Sequence, residues 1–82
     1  MGVIMTIWRQ KIYLGDLFNN NLPFEERRDR IVERMKEVDG NKYLDVILED
    51  LANSGSSEEF DSLWDEVYDW ADINKVWIDT WN

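Results

Sequence analysis

The sequence predicts an α+β fold, strand–helix–helix–helix–strand, with the two terminal strands paired and packed on a three-helix layer. Three observations lead there. β-Branched and aromatic residues concentrate at the two ends, Val3 to Leu14 and Val76 to Trp81. Between them, apolar residues recur at helical spacing in three separate runs. Each run is bounded by turn formers: Asn19 to Asn21 with Pro23, then Asp39-Gly40-Asn41, then Asn53 to Ser56.

Val3 to Leu14, VIMTIWRQKIYL, reads as the first strand. Trp8, Ile12 and Leu14 share one side, and Ile7, Arg9, Lys11 and Tyr13 the other. Met5 is an alternative start, which makes the first four residues optional, and residues 1–5 read as a flexible or optional extension of a single domain spanning 1–82. Gly15 and Asp16 break the strand, and Leu17 and Phe18 form an apolar anchor before the turn. Pro23 suits the first turn of a helix running to about Val38. Its Glu25 and Glu26 favour the N-terminus, and Arg34 and Lys36 the C-terminus, as the helix dipole prefers. Phe24, Ile31, Met35 and Val38 make its core stripe, with Val32 at the edge. Lys42 to Asn53 is the next helix, with Leu44, Ile47, Leu48 and Leu51 facing one way and Tyr43 at the edge. After the third helix, Val76 to Trp81 alternates as a closing strand. A lone strand is unstable, so it is expected to pair with the first.

The third helix, Ser56 to Ile73, is the most strongly patterned stretch, SSEEFDSLWDEVYDWADI. Ser56 with Glu59 fits a capping box, and Gly55 precedes it as a turn residue. Counting about 100° per residue from Phe60, Leu63, Trp64, Val67 and Ala71 fall within about 60° of it. Tyr68 and Trp70 lie on the two flanks. Asp61, Asp72, Asp65, Glu58 and Asp69 fall together between about 100° and 180°, a continuous acidic stripe, with Glu59 and Glu66 further round. Asp61, Asp65 and Asp69 are successive i,i+4 neighbours, each pair destabilising by roughly 0.2–0.5 kcal/mol. Asp69 and Asp72 also sit where the helix dipole disfavours negative charge. Local physics does not explain these late acids. They are a solvated face, a face neutralised by arginines elsewhere in the fold, or a docking face for a basic partner.

Composition narrows the functions. A chain of 82 residues buries only about 60% of its unfolded surface, so five Trp, three Tyr and three Phe carry much of the core. There is no Cys and no His, which removes disulfides, thiol catalysis, the commonest general base and the commonest transition-metal ligand. The net charge of −9 is uneven. Residues 1–42 carry eight Lys/Arg against seven Asp/Glu, whereas residues 43–82 carry Lys75 alone against eleven Asp/Glu. Such an acidic half repels nucleic acid and anionic lipid and attracts basic protein surfaces. No apolar run approaches a membrane span, and Met1 to Ile7 lacks the basic start of a signal peptide, so the expected compartment is the cytoplasm.

No catalytic, cofactor-binding or metal-ligating residue is expected. The acidic helix presents its carboxylates on a convex face, with nothing to split their pKa values for acid–base work. There is no calcium-binding loop of alternating Asp and Asn, and no Gly-rich phosphate loop. The one basic cluster, Arg27, Arg28, Arg30, Arg34 and Lys36, is interleaved with Glu26, Asp29, Glu33 and Glu37, and Glu26 pairs with Arg30 at i,i+4. That pattern reads as a salt-bridged helix rather than a nucleic-acid surface. Trp64 belongs to the core, and Trp8 and Trp77 pack in the core or on the strands. Trp70 and Trp81 are the candidates for exposure.

KIYLGDLF, LPFEERRDRIVERMK and EEFDSLWDEVYDWADINKVWIDTW together resemble a family of small acidic uncharacterised proteins encoded by tailed phages of actinobacteria, including mycobacteriophages. The shared features are Leu14 to Phe18 after the strand, the Phe24-Glu25-Glu26-Arg27 helix start, Glu59-Phe60-Asp61, and the closing Val76-Trp77-Ile78. The resemblance spans most of the chain from about Thr6, least well from Val38 to Ser57, and Pro23 stands where the family has Ser. It implies a phage origin and expression in the cytoplasm of an infected bacterium. It implies no activity and no functional residue.

The functional expectation is a non-catalytic interaction protein that binds a basic host or phage protein, including a nucleic-acid-binding one whose ligand it mimics in charge. Glu58, Asp61, Asp65, Asp69 and Asp72 supply the charge, with Trp70 or Tyr68 as an anchor. The alternative is a structural or assembly component, most simply a homodimer joined by terminal strands or exposed tryptophans. Direct nucleic-acid binding through Arg27, Arg28, Arg30 and Arg34 ranks third.

Overall fold

The computed structural model describes residues 7–81. Strand β1 (Gln10–Tyr13) leads through a one-turn helix α1 (Gly15–Phe18) to α2 (Phe24–Met35), α3 (Lys42–Ala52) and α4 (Ser57–Asn74). The chain closes on β2 (Val76–Asp79). The fold is α+β. Its two strands form one parallel sheet, with Gln10, Lys11, Ile12 and Tyr13 opposite Val76, Trp77, Ile78 and Asp79. Parallel neighbours cannot be joined by a hairpin, and here all the helices form the crossover.

The terminal strands therefore pair as expected, but both are shorter. The first was expected from Val3; residues 3–6 lie outside the described residues, and Ile7 to Arg9 precede the ladder. Register sets the limit, because β2 begins only after the last turn of α4. The closing strand stops at Asp79 rather than Trp81, whose N–H turns back to the Asp79 carboxylate at 3.0 Å. A fourth helix replaces the expected break and anchor: α1 is a single turn, too short for any periodicity to reveal. Its Leu17 is buried, and Phe18 packs on Phe60 and Trp64 at ring distances of 6.4 and 5.1 Å. Helix α2 ends at Met35, three residues before the expected Val38, which nonetheless stays buried beyond the last turn.

One hydrophobic core joins Ile12 and Leu14 to Ile31 and Met35 of α2, Leu44, Ile47 and Leu51 of α3, Phe60, Trp64, Val67 and Trp70 of α4, and Val76. Side-chain clips fix the rest. Gln10 exchanges two hydrogen bonds with the Asp39 backbone, at 2.9 and 2.8 Å, tying β1 to the turn after α2. Arg34 of α2 donates to the Tyr13 carbonyl at 3.1 Å and pairs with Asp16 of α1. The Arg34 hydrogen bond holds the Asp16 carboxyl below the ordinary carboxylate value. Gly15 is required by close approach: a Cβ there would overlap the Trp81 carbonyl oxygen and the Tyr13 ring.

Helix α4 starts at the expected N-cap, with Ser56 Oγ accepting from the Glu59 N–H at 3.2 Å, one of the two bonds of a capping box. It ends on Lys75, the one described non-glycine residue with positive φ (58°), whose N–H caps the Ala71 and Asp72 carbonyls. Left-handed backbone costs a side-chain-bearing residue roughly 1–2 kcal/mol. Lys75→Gly is therefore expected to stabilise the fold by up to about 1 kcal/mol, after loss of a favourable cation at the helix C-terminus. The midpoint of urea unfolding measures this.

Candidate protein-docking face

Glu58, Asp61, Asp65, Asp69 and Asp72 all lie exposed along α4, as do Glu59 and Glu66 beside them. The 1.5 Å rise per residue places Glu58 and Asp72 about 21 Å apart along the axis. The question left by the sequence is whether arginines elsewhere neutralise this face. Among the described residues they do not. The four ion pairs are Arg28–Asp29, Arg30–Glu26, Arg34–Asp16 and Lys36–Glu33, and every one lies on α1 or α2. None reaches α4.

The basic residues of α2 are already engaged. Arg28 donates to the Ser54 carbonyl at 2.7 Å and to Asp29 at 2.9 Å, with its guanidinium 5.7 Å from the centre of the Phe24 ring. Arg30 holds Glu26 at 2.8 Å, the i,i+4 pair expected from sequence. Arg27 borders a cavity of about 210 Å³ walled by Phe18, Phe24 and Phe60, and Asp61 stands on the same rim. Arg28, Arg30 and Arg34 thus hold partners within the fold, rather than standing free together on one face.

One site residue is corrected. Trp70, expected as a surface anchor, is buried at 3% exposure, and its indole N–H donates to Asn41 Oδ1 at 3.2 Å. Asn41 is the N-cap of α3 and also accepts from the Tyr43 and Leu44 N–H groups. The helical angles explain the difference. Trp70 lies about 80° from Phe60 on the flank away from the acids, where the start of α3 covers it, and Tyr68 lies about 80° on the acidic side. Tyr68 is exposed. It is the aromatic residue beside the stripe.

The two buried indoles differ in a testable way. Trp64 is also buried, but its Nε1 has no hydrogen-bond partner. Trp70→Phe gives up a made hydrogen bond, whereas Trp64→Phe removes an unpaired donor. Trp70→Phe is therefore expected to be more destabilising than Trp64→Phe by about 1 kcal/mol, read from paired urea titrations.

An aromatic groove of about 310 Å³ opens where the stripe ends, between the last turns of α4 and β2. Trp8, Tyr68, Trp77 and Trp81 line it together with Asp72 and Thr80. Trp8 and Trp77 meet edge-to-face at 5.2 Å, and the Tyr68 hydroxyl lies 3.5 Å from Thr80 Oγ1. Sequence reasoning left Trp8 and Trp77 to packing, because nothing local shows that the chain ends converge on the far end of α4. The alternation of Val76 and Trp77 was the available signal: Val76 is buried and Trp77 faces out.

Among the described residues no group of His, Cys, Asp and Glu is arranged to hold a metal ion, and no helix is long and apolar enough to cross a membrane. No protein-family model, no curated protein and no solved structure matches this chain.

Proposed function

We propose that this chain is a non-catalytic binding protein that docks a basic protein partner through the exposed acidic face of α4. The observation that carries the reading is the separation of charge. Every ion pair of the described residues is made on α1 and α2, while the seven carboxylates of α4 face solvent without one. An unneutralised, single-sign face steers and selects a partner of opposite charge. The five acids of the stripe make a row of like charge about 21 Å long, which supports a partner that itself binds a polyanion such as nucleic acid. The resemblance to actinobacteriophage proteins favours a host or phage protein in the cytoplasm of an infected cell as that partner.

The experiment is a pull-down from actinobacterial lysate with the wild type beside a variant carrying Asp61→Asn, Asp65→Asn, Asp69→Asn and Asp72→Asn. A basic protein retained by the wild type alone, and released by duplex DNA, is the expected result. Equal capture by both, or none by either, refutes the docking face.

A second reading has its own observation. Ile7, Trp77 and Trp81 are exposed beside the paired strands, and an outward-facing aromatic patch suits a homodimer. Such a dimer would persist as salt rises, unlike contacts made by the stripe. Mass in solution across a salt series separates the two.

A further inference from the structure

We infer that the groove between α4 and β2 holds an arginine side chain of the basic partner, its guanidinium stacked on the tryptophans and facing Asp72. This rests on the docking reading above and adds the chemistry of the group that is held.

Three features of the groove select a cation. Four aromatic residues line it, Trp8, Tyr68, Trp77 and Trp81, and an aromatic ring attracts positive charge through its quadrupole. Among the described residues, its only ionisable lining group besides the Tyr68 phenol is Asp72, the last carboxylate of the stripe, and no Lys or Arg lines it. It also lies at the C-terminal end of α4, where the helix dipole adds partial negative charge. Asp69 and Asp72 are unfavourable there for the helix alone, and a bound cation relieves both. Arg9 and Lys75 are neighbours in the chain, and Lys11 is opposite Trp77 in register, yet none lines the groove. An apolar occupant would bury Asp72 without a partner, and an anionic one would meet like charge.

Guanidinium fits better than ammonium. It is planar and weakly hydrated, stacks on rings, and can present two donors to one carboxylate. The molecule already makes such a contact near the other end of α4, where the Arg28 guanidinium lies over Phe24. The groove is also open to receive one: Trp81 is 81% exposed, and Tyr68 and Trp77 are each about two-fifths exposed.

The test is a titration of the ¹⁵N-labelled protein with a synthetic peptide of arginines spaced by glycine and serine, beside the same peptide with citrulline at each arginine. The five indole N–H signals report separately on the groove (Trp8, Trp77, Trp81) and on the core (Trp64, Trp70). The arginine peptide is expected to shift the groove indoles and leave the core indoles in place, and the citrulline peptide to shift neither. Trp81→Leu keeps apolar area but removes a ring, and is expected to weaken binding roughly 3- to 30-fold. Asp61→Asn with Asp65→Asn, remote from the groove, should weaken binding while the groove shifts persist. Shifts confined to backbone amides from Asp61 to Asp69 would overturn the groove and leave the docking face standing. No shift anywhere would overturn both. Equal shifts with citrulline, or groove shifts on concentrating the protein alone, would assign the groove to an apolar ligand or a second copy and overturn the inference.

Discussion

Trp64→Ala is expected to leave little folded protein. Trp64 sits at the centre of the aromatic cluster, stacked on Phe60 at 5.7 Å, against Phe18 of α1 at 5.1 Å and edge-on to Tyr68 at 5.9 Å. Removing a buried Trp side chain costs roughly 3–5 kcal/mol through lost burial and the cavity left behind. A domain of this length has a total stability of roughly 4–12 kcal/mol, so the loss takes a large share of it. Helix α1 is held through Phe18, Leu17 and the Asp16–Arg34 pair, so loosening Phe18 also loosens the clip between β1 and α2. Urea unfolding followed by circular dichroism measures the effect. Trp81→Ala, on an exposed residue of the same type, is the contrast and should fall within about 0.5 kcal/mol of the wild type.

The second large effect has the opposite sign. Changing Asp61, Asp65, Asp69 and Asp72 together to Asn is expected to stabilise the fold while removing partner capture. Two i,i+4 repulsions disappear, each worth roughly 0.2–0.5 kcal/mol. Two charges leave the unfavourable end of the helix dipole, each worth roughly 0.3–1 kcal/mol. Asn and Asp have similar helix propensities, so little is lost in exchange. A gain of about 1 kcal/mol raises the melting temperature of a domain this size by roughly 4–8 °C. The gain should shrink as added salt screens the exposed charges. A stripe that served the fold would give a lower melting temperature instead. Measuring stability and capture on the same variant separates a stripe that serves the fold from one that serves a partner.

Much of the fold was legible in the sequence because local patterns decided it. The Ser56 cap, the apolar face of α4, the i,i+4 pair of Glu26 and Arg30, and the Leu44, Ile47, Leu48 and Leu51 face of α3 all depend on neighbours within a few residues. Pairing of the end strands followed from the instability of a lone strand. What escaped was set by contacts distant in sequence. Helix α1 is one turn and carries no period. The role of Gly15 depends on Trp81, at the other end of the chain. Burial of Trp70 depends on Asn41, whose side chain caps α3 and receives the indole N–H.

The same division runs through the site. The five acids of the stripe were found by helical angle alone, and all are exposed. Of the two expected anchors, Trp70 or Tyr68, helical angle favours Tyr68, which lies about 80° from Phe60 on the acidic side, with Trp70 about 80° on the other. The groove was not legible from periodicity, because Trp8 and Trp77 reach Tyr68 and Asp72 only through the parallel pairing of β1 with β2. Gly15 contributes as well, by letting the Trp81 backbone approach.

The central claim is that the α4 face is a docking surface rather than a solvated one. Its most direct test is the affinity of the retained basic partner measured across a salt series from about 50 to 200 mM, for the wild type and the four-Asn variant. A docking face predicts that wild-type affinity falls by roughly tenfold or more over that range, and that the variant binds weakly with little salt dependence. Equal affinities with the same slope for both proteins would contradict it and return the stripe to a solvated face.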